Sequence, residues 1–378
     1  MNYIQKRKAE HREHFFSDDY LNKNIKISKH ISVVAVVHII DTGIPYIKTL
    51  DKYFSLEYII PKPKSINKKL LKYFPKKKIL NLTRDGINNT DDFLSKLNKI
   101  PKNNKIILLD IGGYFSQIGN RIKKRFGNKF IGIIEDTENG HKRYLNQKLE
   151  YPVISVARSL LKKNEDYLVG QAVVFSAEAL LREQGILINS KEVGIIGIGK
   201  IGNGILSSLK SKSSQISIFD NNPINLIISY SMGGKIVDKL SVIQNSEILF
   251  LATGNLSLKN DEFKYLKTGA FVISVTSSDD EIDLSWLENN YNKKIVSKYI
   301  IKYNKKKHHF FIINNGNAVN FIHGAVIDDF ILLVQKEMID SIVKFSKTTM
   351  SNEVHKGFND TKLRIADSWL KKILNLNI

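Results

Sequence analysis

Residues 193–220 read VGIIGIGKIGNGILSSLKSKSSQISIFD. An apolar run, Val193–Ile196, leads into Gly197-x-Gly199-x-x-Gly202. An amphipathic stretch and a second apolar segment follow, ending on Asp220. Each part has a physical task. The first glycine permits a tight strand-to-helix turn, the second lets backbone approach a pyrophosphate, and the third allows helix to pack closely on strand. The helix N-terminus then offers its N–H groups and dipole to the phosphates. Asp220 stands where a carboxylate accepts hydrogen bonds from an adenosine ribose and repels a 2′-phosphate, which selects NAD. Glycines alone would also suit a turn that serves packing only. The full order of strand, glycines, helix, strand and acid specifies a Rossmann dinucleotide-binding unit.

Outward from this unit the chain alternates short apolar runs with helical periodicity, an α/β pattern. Strands are expected at Ile31–Ile39 (with His38 near its end), Glu57–Ile60, Ile79–Leu82, Ile106–Asp110, Phe130–Ile134, Ile248–Ala252, Phe271–Val275 and Phe310–Ile313. Helices are expected over Gln171–Gln184, closed by Gly185, and over Asp328–Phe345, followed by a polar tail with one more amphipathic segment, Lys362–Leu374. The expected organisation is an α/β substrate-binding domain over residues 1–165, completed by about 325–350. A Rossmann NAD-binding domain over 166–324 and a C-terminal tail over 351–378 follow. Chemistry is expected in the cleft between the two domains.

Composition sets wider limits. A chain of 378 residues is long enough to bury a real core and to form two domains. Cysteine is absent, which excludes a disulfide framework, a thiolate metal site and a thiol nucleophile. No metal site is expected. No apolar run reaches the length of a membrane span, and the N-terminus (MNYIQKRKAEHREHFF) is too charged for a signal peptide; a cytoplasmic protein is expected. The net charge is +21. A nucleic-acid site would gather that charge on one face and interleave aromatics. Lysine is instead scattered through nearly every polar segment, with small clusters at Lys76–Lys78 and Lys305–Lys307. Solvated surface lysines are the expectation, and nucleic acid is not expected as a partner.

A further series of residues resembles a known family. Asp220-Asn-Asn-Pro223-Ile-Asn225, Ala252-Thr253-Gly254-Asn255, Glu281-Ile-Asp283-Leu-Ser-Trp286-Leu287 and Asn315-Gly316-x-x-Val319-Asn320 are similar, in order and spacing, to S-adenosylhomocysteine hydrolases. The likeness continues upstream through Glu135-Asp136-Thr137-x-x-Gly140, Pro152-Val-Ile-x-Val156 and His38, covering roughly residues 30 to 335. The resemblance implies an NAD-dependent enzyme that holds NAD tightly and recycles it within each turnover. The 3′-hydroxyl of a nucleoside is oxidised to a ketone, the acidified 4′ proton is removed, the 5′ thiol leaves, water adds, and the hydride returns.

The resemblance also implies roles. Lys162 and Asp166, spaced i, i+4 on one helical face, fall on the lysine and aspartate that manage the hydroxyl proton. His38 falls on the acid/base group near the 5′ position, and Asp136 on an acid near the sugar hydroxyls. Gly197, Gly199, Gly202, Asp220, Asn225, Thr253, Gly254 and Asn255 form the expected cofactor site, with Thr137 and Asn320 near the nicotinamide. A homo-oligomer acting on a small nucleoside or sugar derivative is implied.

The departures are as informative. After His38 the family's Met-Thr-Val-Glu is Ile39-Ile40-Asp41-Thr42 here, and the second acid before Gly112-Gly113 is Ile111. Asparagines flanking the Lys/Asp pair are Ala157 and Tyr167, and a Gly-His-Phe is Thr276-Ser277-Ser278. The family's Gly-His-Pro-Ser loop is replaced by His323-Gly324-Ala325-Val326-Ile327-Asp328. Its Lys- and Tyr-bearing tail is absent from Leu374–Ile378. Cofactor positions are kept while substrate-gripping positions change. A changed substrate is therefore expected, with a non-catalytic NAD-binding regulator and a basic nucleic-acid binder as the other readings.

Overall fold

The computed structural model describes residues 3–88, 90–212, 215–276, 281–324 and 327–376. Ser277 and Ser278 of the altered loop, Ala325 and Val326, and the final residues 377 and 378 lie outside the described residues. The strands, in chain order, are β1 (Ile31–Ile39), β2 (Ser55–Ile66), β3 (Lys105–Asp110), β4 (Phe130–Glu135), β5 (Val153–Ser155), β6 (Val193–Ile196) and β7 (Ile216–Phe219). They continue with β8 (Lys235–Ile236), β9 (Ile248–Leu251), β10 (Phe271–Ser274), β11 (Asn292–Ser297), β12 (Ile300–Lys305), β13 (His308–Ile313) and β14 (Val354–Lys356). The chain divides into two compact units, Met1–Lys163 with Asp328–Ile378, and Asn164–Ile327. The dividing point falls inside one helix, Leu160–Arg182.

The first unit is built on a wholly parallel sheet ordered β14-β5-β4-β3-β1-β2. A parallel sheet covered on both faces must be apolar on both, and β1 shows why its sequence is a continuous apolar run. Val33, Ala35, Val37 and Ile39 pack on one side with Ile47, Leu50, Ile339 and Ile342. Val34 and Val36 face the other side, against Phe93, Leu97 and Ile122. Fully burying each such side chain stabilises the fold by roughly 1.5–3 kcal/mol. Strand order reverses between β1 and β3, so the carboxyl ends of those strands open a crevice of the kind that holds ligands.

The second unit has the order β11-β12-β13-β10-β9-β6-β7-β8. Six strands, β8-β7-β6-β9-β10-β13, are parallel in the doubly wound Rossmann order, with the reversal between β6 and β9. β11 and β12 extend the β13 edge as antiparallel strands. The helices Leu160–Arg182 and Lys200–Leu209 meet at glycines. A Cβ on Gly170 would lie 2.3 Å from the Ile201 carbonyl oxygen, and one on Gly204 would lie 2.1 Å from that of Tyr167. Nothing but hydrogen fits at this crossing.

Three expectations need correction. Ile79–Leu82 is not a strand: Ile79 makes a single bridge to Ile59, and Leu80 turns inward to plug the core. A one-turn helix over Lys76–Lys78 leaves no room to extend the pairing. The helix beginning at Gln171 starts eleven residues earlier, at Leu160. Residues 351–378 are not a loose tail. β14 pairs with β5, and the helix Asn359–Ile373 buries Ile365 and Trp369 against the core of the first unit.

Candidate functional site

In the second unit the two crossover loops at the strand reversal carry the expected cofactor residues. Gly197 ends β6 with φ +91°, and a Cβ there would lie 2.5–2.7 Å from the Ala252–Thr253 peptide. Only glycine tolerates both the left-handed backbone and that approach. A Cβ on Gly202 would strike the Gly197 carbonyl oxygen at 2.2 Å, whereas one on Gly199 would meet nothing within 4 Å. Gly199 therefore faces open space at the start of the helix Lys200–Leu209, whose N-cap has no side-chain hydrogen bond. Those uncapped N–H groups need an acceptor, and a pyrophosphate is one.

Asp220, at the end of β7, arranges the loop around itself. Its Oδ2 accepts from the Ile198 N–H at 2.7 Å and from Asn225 Nδ2 at 3.3 Å, and its Oδ1 accepts from the Asn222 N–H at 2.7 Å. A carboxylate offers about four lone-pair sites, so acceptor capacity remains for ribose hydroxyls. Beyond β9, Thr253, Gly254 and Asn255 are held by Glu281, a residue that sequence reading quoted but gave no role. Its Oε1 accepts from the Gly254 N–H at 2.6 Å and Thr276 Oγ1 at 3.1 Å. Its Oε2 accepts from Thr253 Oγ1 at 2.9 Å and Ser257 Oγ at 2.7 Å. Burial pushes its pKa up to about 7 against these hydrogen bonds. Asn320 is buried, and its Oδ1 has no hydrogen-bond partner. An orphan amide oxygen suits the N–H group of a carboxamide. The residues present thus fit a dinucleotide.

In the first unit, His38, Asp136 and Lys162 stand at the carboxyl end of the sheet. His38 lies near the end of β1 with Nδ1 against Ser65 Oγ; burial, then the Lys62 and Lys162 ammoniums, hold its pKa well below the usual histidine range. It is neutral at pH 7. Asp136 follows β4, and Lys162 occupies the first turn of the helix Leu160–Arg182. Lys162 Nζ approaches Asp136 Oδ1 at 3.3 Å, with side-chain exposures of only 8% and 14%. That oxygen makes no hydrogen bond. Ser159, just before the helix, donates to Glu337 on the helix Ile331–Phe345.

The other expected residues are placed as follows. Asp166 belongs to the second unit and pairs with Lys200 of the glycine loop at 3.2 Å. Thr137 is an N-cap: its hydroxyl accepts from the Gly140 N–H and donates to Glu135 Oε1. Among the replaced positions, Tyr167 hydrogen-bonds Ser207, Ala157 is buried, and Ile111, which stands at the altered acid position, is buried.

Among the described residues the buried carboxyls Asp110, Glu135, Glu165, Glu281, Glu337 and Asp340 escaped assignment. Asp110 accepts from the Tyr114 and Phe115 N–H groups, each at 3.0 Å, and from the Tyr144 hydroxyl. Glu135 accepts from the Gly112 and Gly113 N–H groups at 3.0 Å and from Thr137, and burial beside Asp110 lifts its pKa to about 8. Burial likewise lifts Glu337 to about 7. Asp110 and Glu135 end apolar runs just before turn residues, a signal that sequence could have offered. Glu337 sits inside a helical stretch and gives none. Among the described residues no group of three or more His, Cys, Asp or Glu is placed to hold a metal ion, and no helix is long and apolar enough to cross a membrane.

Comparison with known proteins agrees with this geometry. Residues 172–326 match the NAD binding domain of S-adenosyl-L-homocysteine hydrolase. An adenosylhomocysteinase of Sulfolobus acidocaldarius is 23% identical over 278 residues, 70% of this chain and 65% of the relative. The alignment therefore spans a little under two thirds of that relative's length. Among solved structures, D-lactate dehydrogenase of Escherichia coli aligns with a TM-score of 0.46 and 14% identity over 85% of this chain and 99% of its own. The A chain of dipicolinate synthase from Bacillus subtilis aligns at 0.45 and 8% over 84% and 97%. The ordered cofactor residues, the Rossmann strand order and the matched domain together show that residues 172–326 are similar to the NAD binding domain of S-adenosyl-L-homocysteine hydrolase, and the cofactor of this chain is NAD.

Proposed function

We propose that the chain oxidises, for the duration of one turnover, a sugar hydroxyl of a nucleoside or related glycoside. One observation carries this reading: a buried Lys162–Asp136 pair, its carboxylate oxygen without a hydrogen bond, in the same unit as a neutral His38. Taking such a pair out of water costs several kcal/mol per ion before attraction repays it. A buried ion pair left incompletely satisfied suits a site that awaits a hydroxyl.

The Gly197–Gly202 loop and Asp220 would hold NAD, which would supply a reversible hydride acceptor for the sugar carbon. The side chains manage everything else. Asp136 orients Lys162 and offers Oδ1 to a sugar hydroxyl. Lys162 exchanges a proton with the hydroxyl being oxidised, so that no full negative charge develops on its oxygen. His38, neutral because of burial and two neighbouring ammoniums, accepts or returns a proton at the leaving-group end. Asp166 ties the lysine-bearing helix to Lys200 in the glycine loop.

The altered positions support a substrate other than S-adenosylhomocysteine. Ile40, Thr42 and Ile111 offer less hydrogen bonding than the family's pocket, and each unpaired polar group on a mismatched ligand costs about 1–3 kcal/mol. The test is direct. Purified chain with NAD is mixed with a panel of nucleosides and glycosides, and the NADH absorbance band is followed. Growth of the band with one of them is the expected result. Tight NAD binding with a flat trace across the panel would leave the regulatory reading in its place.

A further inference from the structure

The lysines of this chain are not uniformly spread in space. From Asn289 to Ile327 there is no Asp or Glu, yet Lys293, Lys294, Lys298, Lys302, Lys305, Lys306 and Lys307 all lie there. They fall on the three-stranded antiparallel extension β11-β12-β13 and its turns. Register decides which side each one takes, because cross-strand partners share a face. Tyr303, Phe310 and Ile312 point into the core. The partners on the opposite side are Lys294–Lys302–Phe311 and Asn292–Asn304–His309, and Lys306 sits at the following turn. Lys294, Lys302, Asn304, Lys306 and His309 line an open depression of about 500 Å³.

Aromatic rings stand among these cations. Phe311 is half-buried, stacked on Phe271 with centroids 4.7 Å apart; Lys302 Nζ is 6.0 Å from its ring, and His309 meets it edge-on. Among the described residues no carboxylate pairs with Lys294, Lys302 or Lys306. Lysines on an edge strand guard it against pairing with another chain. That accounts for Lys293 and Lys294 on β11, but Lys302 lies on the inner strand β12 and Lys306 in a turn, where no edge needs protection.

We propose that the open face of β11-β12-β13 binds single-stranded nucleic acid, with Lys294, Lys302 and Lys306 on backbone phosphates and Phe311 against an unpaired base. The ring favours a single strand over a duplex, whose base faces are hidden by stacking. The proposal stands apart from the NAD reading and uses none of its residues.

The test is fluorescence anisotropy of the full chain with a labelled oligouridylate of about 16 nucleotides, within the usual size range of a single-strand site. Each phosphate contact adds about 0.7 to the slope of log affinity against log salt, so three lysines predict a fall of roughly 20-fold between 50 and 200 mM salt. The triple variant Lys294→Gln, Lys302→Gln, Lys306→Gln should lower affinity at least tenfold and flatten that slope by about 2. A charge-matched control, Lys26→Gln, Lys124→Gln, Lys235→Gln, should behave as the parent chain. Phe311→Leu should weaken binding with the slope unchanged, and circular dichroism checks that both variants fold. No binding at 50 mM salt, equal loss in the control, equal affinity for the annealed duplex, or tighter binding to phosphatidylglycerol vesicles through the same lysines would each overturn the proposal.

Discussion

The cofactor loop and the proposed substrate end of this chain are built from different materials. At the glycine loop of the second unit the working parts are backbone: N–H groups, carbonyls and the empty space in front of Gly199. At the carboxyl end of the first sheet they are side chains, Lys162, Asp136 and His38, all withdrawn from water. A backbone site tolerates almost any sequence that keeps its glycines. A site made of buried charges can be retuned one residue at a time. On the proposed function, the first kind keeps the cofactor fixed while the second lets the substrate change.

The sharpest way to break that comparison is Lys162→Gln. It should lower NADH formation with the true substrate by 10²–10⁴-fold, the usual worth of a positioned proton carrier, while calorimetry shows NAD affinity unchanged. Loss of NAD binding would mean that the two ends are not separable in this way. Gly197→Ala attacks the other end. With φ at +91° and backbone 2.5 Å away, it should cost on the order of 1–3 kcal/mol in chemical denaturation and reduce NAD affinity as well. Gly199→Ala meets no protein atom within 4 Å. It should leave the melting temperature unchanged and weaken NAD alone, which separates fold from ligand at one loop.

A smaller effect follows from Glu281. Folded, it keeps its proton up to about pH 7, against an ordinary value of 4.5. Between those values the folded state binds more protons than the unfolded one, so stability falls as the pH rises through that window. Glu281→Gln should remove part of the slope of melting temperature against pH, and an unchanged slope would refute the assignment. The smallest effect expected is from Lys200→Met. Its pair with Asp166 is partly exposed and so worth about 0–1 kcal/mol, visible only in NAD affinity if the glycine loop depends on it.

How much of this was legible follows from the same contrast. β1 was read to the residue because a strand buried on both faces must be apolar throughout. The glycine loop and Asp220 were read because backbone geometry demands specific residues there. β11 and β12 were not, since Asn and Lys suit an exposed antiparallel extension as well as a loop. The helix Asn359–Ile373 was legible only as an amphipathic segment over Lys362–Leu374, and its docking was not, because such a segment does not name what it covers. The clustering of His38, Asp136 and Lys162 rested on the family resemblance: each lies on a different element, and only the parallel order of β1, β3 and β4 gathers them. Glu337 and Glu281 stayed silent as functional supports, because a buried carboxyl in sequence looks like a solvated one.

The crossing of the helices at Gly170 and Gly204 carries one last consequence. Backbone meets backbone at Gly170 and Gly204, flanked by the Tyr167–Ser207 and Asp166–Lys200 contacts, so the spacing of the two helices leaves no room for a side chain at either glycine. The phosphate-facing end of the helix Lys200–Leu209 takes its position from that joint. A methyl group added at the joint, far from any ligand, would shift the cofactor loop as a whole.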